Sequence, residues 1–343
     1  MNKNKIELRS DTFTLPTKEM KEAMFSAEVG DDVFGEDPTV NALETYCADL
    51  FGMETALFCS SGTQTNQIAI KMHTKPGDEV ICHELAHIYL YEGGGIAYNS
   101  GASAKLIAGD YGRYTTIQAI NCINKEDIHF PTSSLISVEN TVNRGGGACW
   151  DFEEIKEISK LSKAKGLKFH LDGARLFNAL VAKKETPKQY GAVFDSISIC
   201  LSKGLGAPVG SVLIGSKADI KLAKRIRKVM GGGMRQAGFL AAAGLYALEY
   251  NIERLADDHR NAKFIEQALK EQTWVKETFP VETNIVIFKM VEEVPFERFL
   301  NYLNENEIKA SGIGNNSIRF VFHLGQDEGQ IITLRDYIIN FIA

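Results

Sequence analysis

Between about residue 39 and residue 215, short apolar runs alternate with longer amphipathic ones. The short runs predict buried strands: one opening at Ala56, then Glu79–Cys82, Lys105–Ala108, Ser134–Val138 and Leu167–Leu171. In the run Ser196–Gly215, Ile197, Ile199 and Leu201 alternate on one strand, and Val212, Leu213 and Ile214 form the next. The longer runs carry helical spacing. Val40, Leu43, Tyr46, Cys47 and Leu50 share one face of a helix from Thr39 to about Phe51, which Gly52 ends. Asp151 caps another, with Glu154 three residues on in capping-box register. Ile155, Ile158 and Leu161 form its inner face, and Gly166 closes it. Such alternation predicts a mainly parallel sheet with helices on both faces.

After residue 215 the pattern changes. Lys217–Lys228 reads as a helix with a charged outer face, followed by an apolar helix, Ala237–Tyr250, and an amphipathic one, Glu253–Lys270. Strands at Asn284–Phe288 and Ser317–Phe322, with helices at Pro295–Glu305 and Asp327–Ala343, predict a small α+β unit. We expect an α/β chain of two domains: a large one over 12–250, and a small one made of 1–11 with 251–343.

Composition narrows this picture little. With 343 residues, 44% hydrophobic and 24% charged, the chain is ordinary globular protein. Its 38 basic and 44 acidic residues give a net charge of −6, which argues against a nucleic-acid partner. The cysteines Cys47, Cys59, Cys82, Cys122, Cys149 and Cys200 show no CxxC spacing and read as reduced, in a cytoplasmic protein. No apolar run approaches the roughly 20 residues that span a bilayer, and Met1–Arg9 has no apolar signal core.

Candidate chemistry sits where the strands end. Lys203 lies on a turn with Gly204, Gly206, Pro208 and Gly210, between two buried strands. It is either a surface lysine on a Gly-rich hairpin or an amine whose partial desolvation favours Schiff-base chemistry. Ser61, Gly62 and Thr63 open a helix, as an ordinary cap or as a phosphate cradle. Asp172 ends a strand with Arg175 three residues on, as a structural ion pair or as site residues. Glu139 closes another strand, and polar groups at such ends are where open α/β folds place their sites. His83 and His87 are spaced to share a helix face, but no third ligand is near, so no metal is expected. Arg235 follows three glycines, and Arg319 interrupts an apolar strand, which calls for an anion or an edge facing solvent. Phosphate cradle, ring partner and aldehyde-binding amine together describe pyridoxal 5'-phosphate (PLP).

Segments along nearly the whole chain resemble the low-specificity L-threonine aldolases of the β-eliminating lyase superfamily: Leu8–Thr12, Gly30–Asn41, Ser61–Thr63, His129–Phe130, Glu139–Thr141, Leu171–Asn178, Cys200–Ser211 and Gly231–Gln236. The resemblance implies an aspartate-aminotransferase-like PLP fold type I, with a mainly parallel seven-stranded sheet in the large domain and a small α+β C-terminal domain. It implies Lys203 as the Schiff-base lysine, Asp172 on the pyridine nitrogen and His87 stacked on the ring. Gly62, Thr63 and Arg235 would hold the phosphate, Arg235 from a neighbouring subunit, and Ser61 and Ser202 would also bind the cofactor. Ser10, Arg175 and Arg319 would bind the substrate carboxylate, Arg175 also touching the cofactor, and His129 would lie near the substrate hydroxyl. It further implies homotetramers built from dimers, with no membrane partner.

The reaction so implied is retro-aldol Cα–Cβ cleavage of L-threonine or L-allo-threonine to glycine and acetaldehyde, with His87 or His129 as the base on the β-hydroxyl. The alternative is PLP-dependent β-elimination or racemisation of another β-hydroxy amino acid. A non-enzymatic phosphate-ligand module leaves Lys203, Asp172 and Arg175 without a use. Two positions depart from the family pattern: Phe34 stands where relatives commonly carry Tyr, and Val142 where many carry His. Both lie in segments read as candidates for the pocket lining.

Overall fold

A computed structural model describes residues 5–343. Its strands are β1 (Ile6–Glu7), β2 (Thr55–Cys59), β3 (Glu79–His83), β4 (Ser103–Ile107), β5 (Ser133–Glu139), β6 (Lys168–Gly173), β7 (Ser196–Cys200), β8 (Ser211–Gly215), β9 (Val275–Thr278), β10 (Ile285–Met290), β11 (Ile308–Lys309), β12 (Ser311–Gly314) and β13 (Ser317–Val321). Seven form one sheet in the order β2-β8-β7-β6-β5-β3-β4. All its pairings are parallel except those of β8, which runs antiparallel to both β2 and β7. The reversal has a local cause. A helix carries the chain back between the parallel strands, whereas β7 and β8 are joined only by the turn that holds Lys203.

β2, β3, β5, β6, β7 and β8 are buried almost throughout, as strands covered on both faces must be, which is why they read as apolar runs. β4, at the edge, is half-exposed and begins two residues earlier than its apolar pattern suggests, because Ser103 pairs with Glu79 at the start of β3. The register aligns the strand ends that matter. Glu139 lies beside Asp172, Asp172 beside Ser198, and Ser211 between Cys200 and Cys59.

The helix Pro38–Phe51 ends at Gly52, whose φ of 64° suits glycine. Its inner face holds Val40, Leu43, Cys47 and Phe51, but Tyr46 turns outward. The helix Phe152–Lys165 is capped by Asp151, which accepts from the Glu153 N–H at 2.9 Å. The expected capping box is not made, because the Glu154 carboxylate accepts instead from the backbone and hydroxyl of Thr116. In the basic helix Lys217–Val229 the outer face is solvated as expected, with one exception. Arg227 is buried, donating to the Phe58 carbonyl at 2.6 Å and pairing with Asp32.

One core, around Phe51, Phe58, Trp150, Phe169 and Tyr190, lies under the large sheet. A second gathers Trp274, Phe288, Phe299, Phe320 and Phe322 with Ile6 and Leu8 from the start of the chain. It backs the antiparallel sheet β12-β13-β10-β9, beside the parallel pair β1-β11. No helix among the described residues is long and apolar enough to cross a membrane.

Candidate active site

Lys203 sits half-buried on the turn after β7, a turn closed by Gly206 N–H to the Lys203 carbonyl and by Ala207 N–H to the Leu201 carbonyl. Its charge reaches Asp11 and Cys200. Burial works to raise the Cys200 thiol, but Lys203 and the Ser202 hydroxyl, 3.4 Å from the sulfur, bring it below its ordinary value.

Asp172 closes β6 and is buried. Its partner is not Arg175. Its carboxylate accepts from Asn66 Nδ2 at 2.9 Å and from the Ala174 N–H at 3.1 Å. The structural Asp172–Arg175 pair, one of the two readings open in the sequence, is therefore not made. Arg175 instead grips Asp11 with two parallel bonds, at 2.8 and 2.7 Å, in full burial. Burial opposes the Asp11 charge, yet Arg175 holds its carboxyl down to about 2.

His83 and His87 do not share a helix face. His83 ends β3, and His87 begins the short helix His87–Leu90. The backbone N–H of His87 donates to Glu139 at 2.8 Å, and its Nδ1 lies 3.0 Å from Glu92. Burial works to lower the His87 pKa, but the Glu92 bond and the charges of Asp172 and Glu139 leave it raised. Glu139 is buried beside Asp172, which pushes its carboxyl up to about 7. His87, Glu92 and Asp172 bring ligand-capable atoms within 4.8 Å of one another. The Asn66 and Gln67 amide groups already occupy the two carboxylates, so the cluster reads as a hydrogen-bonded frame and not as a metal centre.

Ser61 caps the helix Gly62–His73 by accepting from the Gln64 N–H at 3.2 Å. That leaves the first N–H groups of the helix, at Gly62 and Thr63, open to an anion. Thr63 is exposed there, and a side chain at Gly62 would reach to 3.5 Å from Ser211 Oγ. Ser211 is fully buried, its hydroxyl beside the Cys200 thiol, a second polar group at the same place.

Arg319, on β13, donates to Asn143 Oδ1 at 2.8 Å and to the Arg9 carbonyl at 3.0 Å. No carboxylate pairs with it among the described residues, and its Nε is buried without a partner. Burial and the nearby Arg175 lower its pKa to about 10, the condition of a cation short of an anion. Ser10 adjoins this arginine's anchor on Arg9, its hydroxyl capping the Thr12 N–H at 3.2 Å.

Two candidates lie elsewhere within one chain. The His129 side chain is 80% exposed and bonded to Asp127 at 2.7 Å. It precedes β5, whose far end carries Glu139, so a strand length of about 20 Å separates it from the site. Arg235 is half-exposed and pairs with Asp31 at 2.8 Å. The two departures from the family pattern also part ways. Phe34 is exposed on its loop, whereas Val142 is buried in the main core, against the close-packed Gly112 and Gly145. Val142 therefore does not line the pocket. Sequence reasoning assigned no role to Asn66, Glu92, Asp11 or Ser211, and only strand-end placement drew notice to Glu139.

Residues 7–293 match the beta-eliminating lyase family. The chain is 45% identical over 341 residues to the low specificity L-threonine aldolase of Escherichia coli strain K12, covering 98% of this chain and 99% of that one. It superposes on a threonine aldolase structure from Leishmania major with a TM-score of 0.85 at 20% identity, over 97% of this chain and 98% of that one. A high-resolution structure of SPT carrying PLP matches with a TM-score of 0.74 at 15% identity, over 98% of this chain and 86% of that one.

Proposed function

The chain belongs to the beta-eliminating lyase family, and from that premise we propose that it is a PLP-dependent low-specificity threonine aldolase, a carbon-carbon lyase that cleaves L-threonine or L-allo-threonine to glycine and acetaldehyde. One observation carries the reading. Asp172 is a buried carboxylate whose hydrogen bonds among the described residues come from neutral N–H donors, on the strand next to the one that leads to Lys203. An anion so placed suits the protonated nitrogen of a pyridine ring. The other residues fit the same group. The helix start at Gly62 and Thr63, with the Ser211 hydroxyl near it and Ser202 next to Lys203, suits its phosphate.

When bound, the cofactor supplies a ring that draws off the electron pair left at Cα as Cα–Cβ breaks. Lys203 would hold the cofactor's aldehyde carbon through its Nζ amine. His87 would lie against the ring and, with its proton on Nδ1 toward Glu92, would accept the β-hydroxyl proton at Nε2. Arg319, with Ser10 and the Arg175–Asp11 pair nearby, would bind the substrate carboxylate and so orient the scissile bond. His129 and Arg235 reach a site only as contributions from another copy of the chain.

The test is spectral and chemical together. Purified wild-type protein should show the visible absorbance of the bound cofactor and release aldehyde and glycine from L-allo-threonine. Lys203→Ala should lose the band and at least about a thousandfold in turnover. Ammonia and a keto acid in place of aldehyde would move the reaction to β-elimination.

We read the chain as two domains, 12–250 and 1–11 with 251–343, supported by the two cores. Six free thiols suit a reducing, cytoplasmic setting. Phe25, Phe34, Ile128 and Val229 are exposed apolar residues that suit contacts between copies in a homotetramer. Light scattering should then return about four times the 37.9 kDa of one chain; a monomer mass would reject the tetramer.

A further inference from the structure

We infer that Glu92 and Asn66 are positioning residues, which tie the His87 imidazole and the Asp172 carboxylate into one buried hydrogen-bond frame. The inference rests on the reading of the site given above and assigns work to two residues that reading leaves unused.

The Glu92 side chain is fully buried, and among the described residues its one ionic partner is His87. It accepts from Asn66 Nδ2 at 2.8 Å, from Gln67 Nε2 at 2.6 Å and from His87 Nδ1 at 3.0 Å. A buried carboxylate is tolerated only where donors converge on it in this way. Asn66 has two amide protons and spends one on Glu92 and the other on Asp172. Its Oδ1 must then accept, and His170 Nε2 lies 3.2 Å away. Burial pushes His170 down to about 4, so it is neutral, with its proton on Nε2. Its Nδ1 therefore accepts from the Ser196 hydroxyl at 2.9 Å, and Ser196 accepts from His73 Nε2 at 2.9 Å. With the Asn66 amide held by the two carboxylates, the ring roles of His170 and His73 follow from it.

Two consequences reach the site. A carboxylate only accepts, so Glu92 keeps the His87 proton on Nδ1 and leaves Nε2 bare. Asn66 also lies one turn along the helix that begins at Gly62, so a single rigid element carries both the anion cradle and the amide that aims Asp172. The charged groups facing His87 are Glu92, Asp172 from β6 and Glu139 from β5, and the Tyr91 ring lies 5.6 Å from its own.

The experiment compares wild-type holoenzyme with Glu92→Gln and Asn66→Ala. In Glu92→Gln, His87 loses an anionic partner, so the acidic limb of kcat/KM should move to lower pH by about one unit. A limb set by Glu139 would stay in place, and an unmoved limb overturns the inference. In Asn66→Ala, the apo protein should bind PLP about tenfold more weakly, the loss of one hydrogen bond to a charged group; unchanged affinity also overturns it. Should either variant not fold, nitrogen-15 shifts of histidine-labelled wild-type protein decide, with His87 assigned against His87→Asn. A neutral imidazole protonated on Nδ1 supports the frame, and one protonated on Nε2 overturns it. Wild-type protein that binds no PLP would reject the proposed function, while the tautomer measurement would still judge the frame.

Discussion

Arg319 is the residue whose surroundings say most about what it meets. A guanidinium this deeply placed normally sits against a carboxylate, as Arg175 does against Asp11. Among the described residues Arg319 bonds to an amide oxygen and a backbone carbonyl, with no carboxylate paired to it, while Asp11, the nearby counter-charge, is spent on Arg175. Arg319→Gln should therefore raise KM for the amino acid about 10- to 100-fold with a smaller change in kcat, the signature of lost ground-state binding. Steady-state kinetics read this directly. An unchanged KM would assign the carboxylate to other donors. The sequence exposed the anomaly, a cation inside an apolar strand, but could not say that the strand's neighbours offer it no counter-charge.

Elements are held together here by polar groups that act far along the chain. Asp37 caps the helix Pro38–Phe51 through the N–H groups of Thr39 and Val40, at 3.1 and 3.0 Å. The same carboxylate accepts from the N–H groups of Gly30, at 3.2 Å, and Gly238, at 2.8 Å. Gly238 must be glycine because a Cβ there would stand 2.5 Å from the Asp37 oxygen. One buried side chain thus fixes a loop, a helix start and the head of the helix Gly238–Tyr250. Asp37→Ala should destabilise the fold by about 2–4 kcal/mol, and Asp37→Asn by less, as read by urea unfolding. The sequence placed the helix start at Thr39, one residue late, and did not single out Asp37 as its cap. Nor was the tie to Gly238 legible, because nothing local marks it.

At the scale of the molecule, buried ionisable groups set how stability responds to acid. Burial pushes His73, His170 and His259 down to about 4 from an ordinary 6.5. Their folded forms are neutral, while the unfolded chain takes up protons below about pH 6.5. Stability they contribute is present above that pH and is lost as pH falls toward 4, by at most about 3 kcal/mol for each. Glu139 and Asp258 oppose them, since burial raises these carboxyls to about 7 and about 6, and their strain is relieved by acid over an overlapping window. The net slope therefore mixes signs, and a variant isolates one of them. His259→Gln, which keeps a polar group for the Asn178 side chain now 3.0 Å from the imidazole, should lose less thermal stability than wild type between pH 7 and pH 4.5. Melting curves that fall in parallel would show that His259 does not titrate in this window.

The sequence by itself marked the strands of the large sheet and their class, since runs buried on both faces must be apolar and the spacing between all but the last two calls for helical crossovers. It also marked Lys203, Asp172 and Arg319, because turn glycines, strand-end charges and a cation among apolar neighbours are local patterns, whereas the role of His87 came only with the resemblance. Tertiary structure alone decided who meets whom. It gave Asp172 to Asn66 and Arg175 to Asp11, drew the first strand into the second core, buried Val142 and set His129 at the opposite end of the sheet. The physical reason is range. Periodicity and capping act over a few residues, whereas a buried polar group must be satisfied by whatever the fold brings beside it, from any distance along the chain.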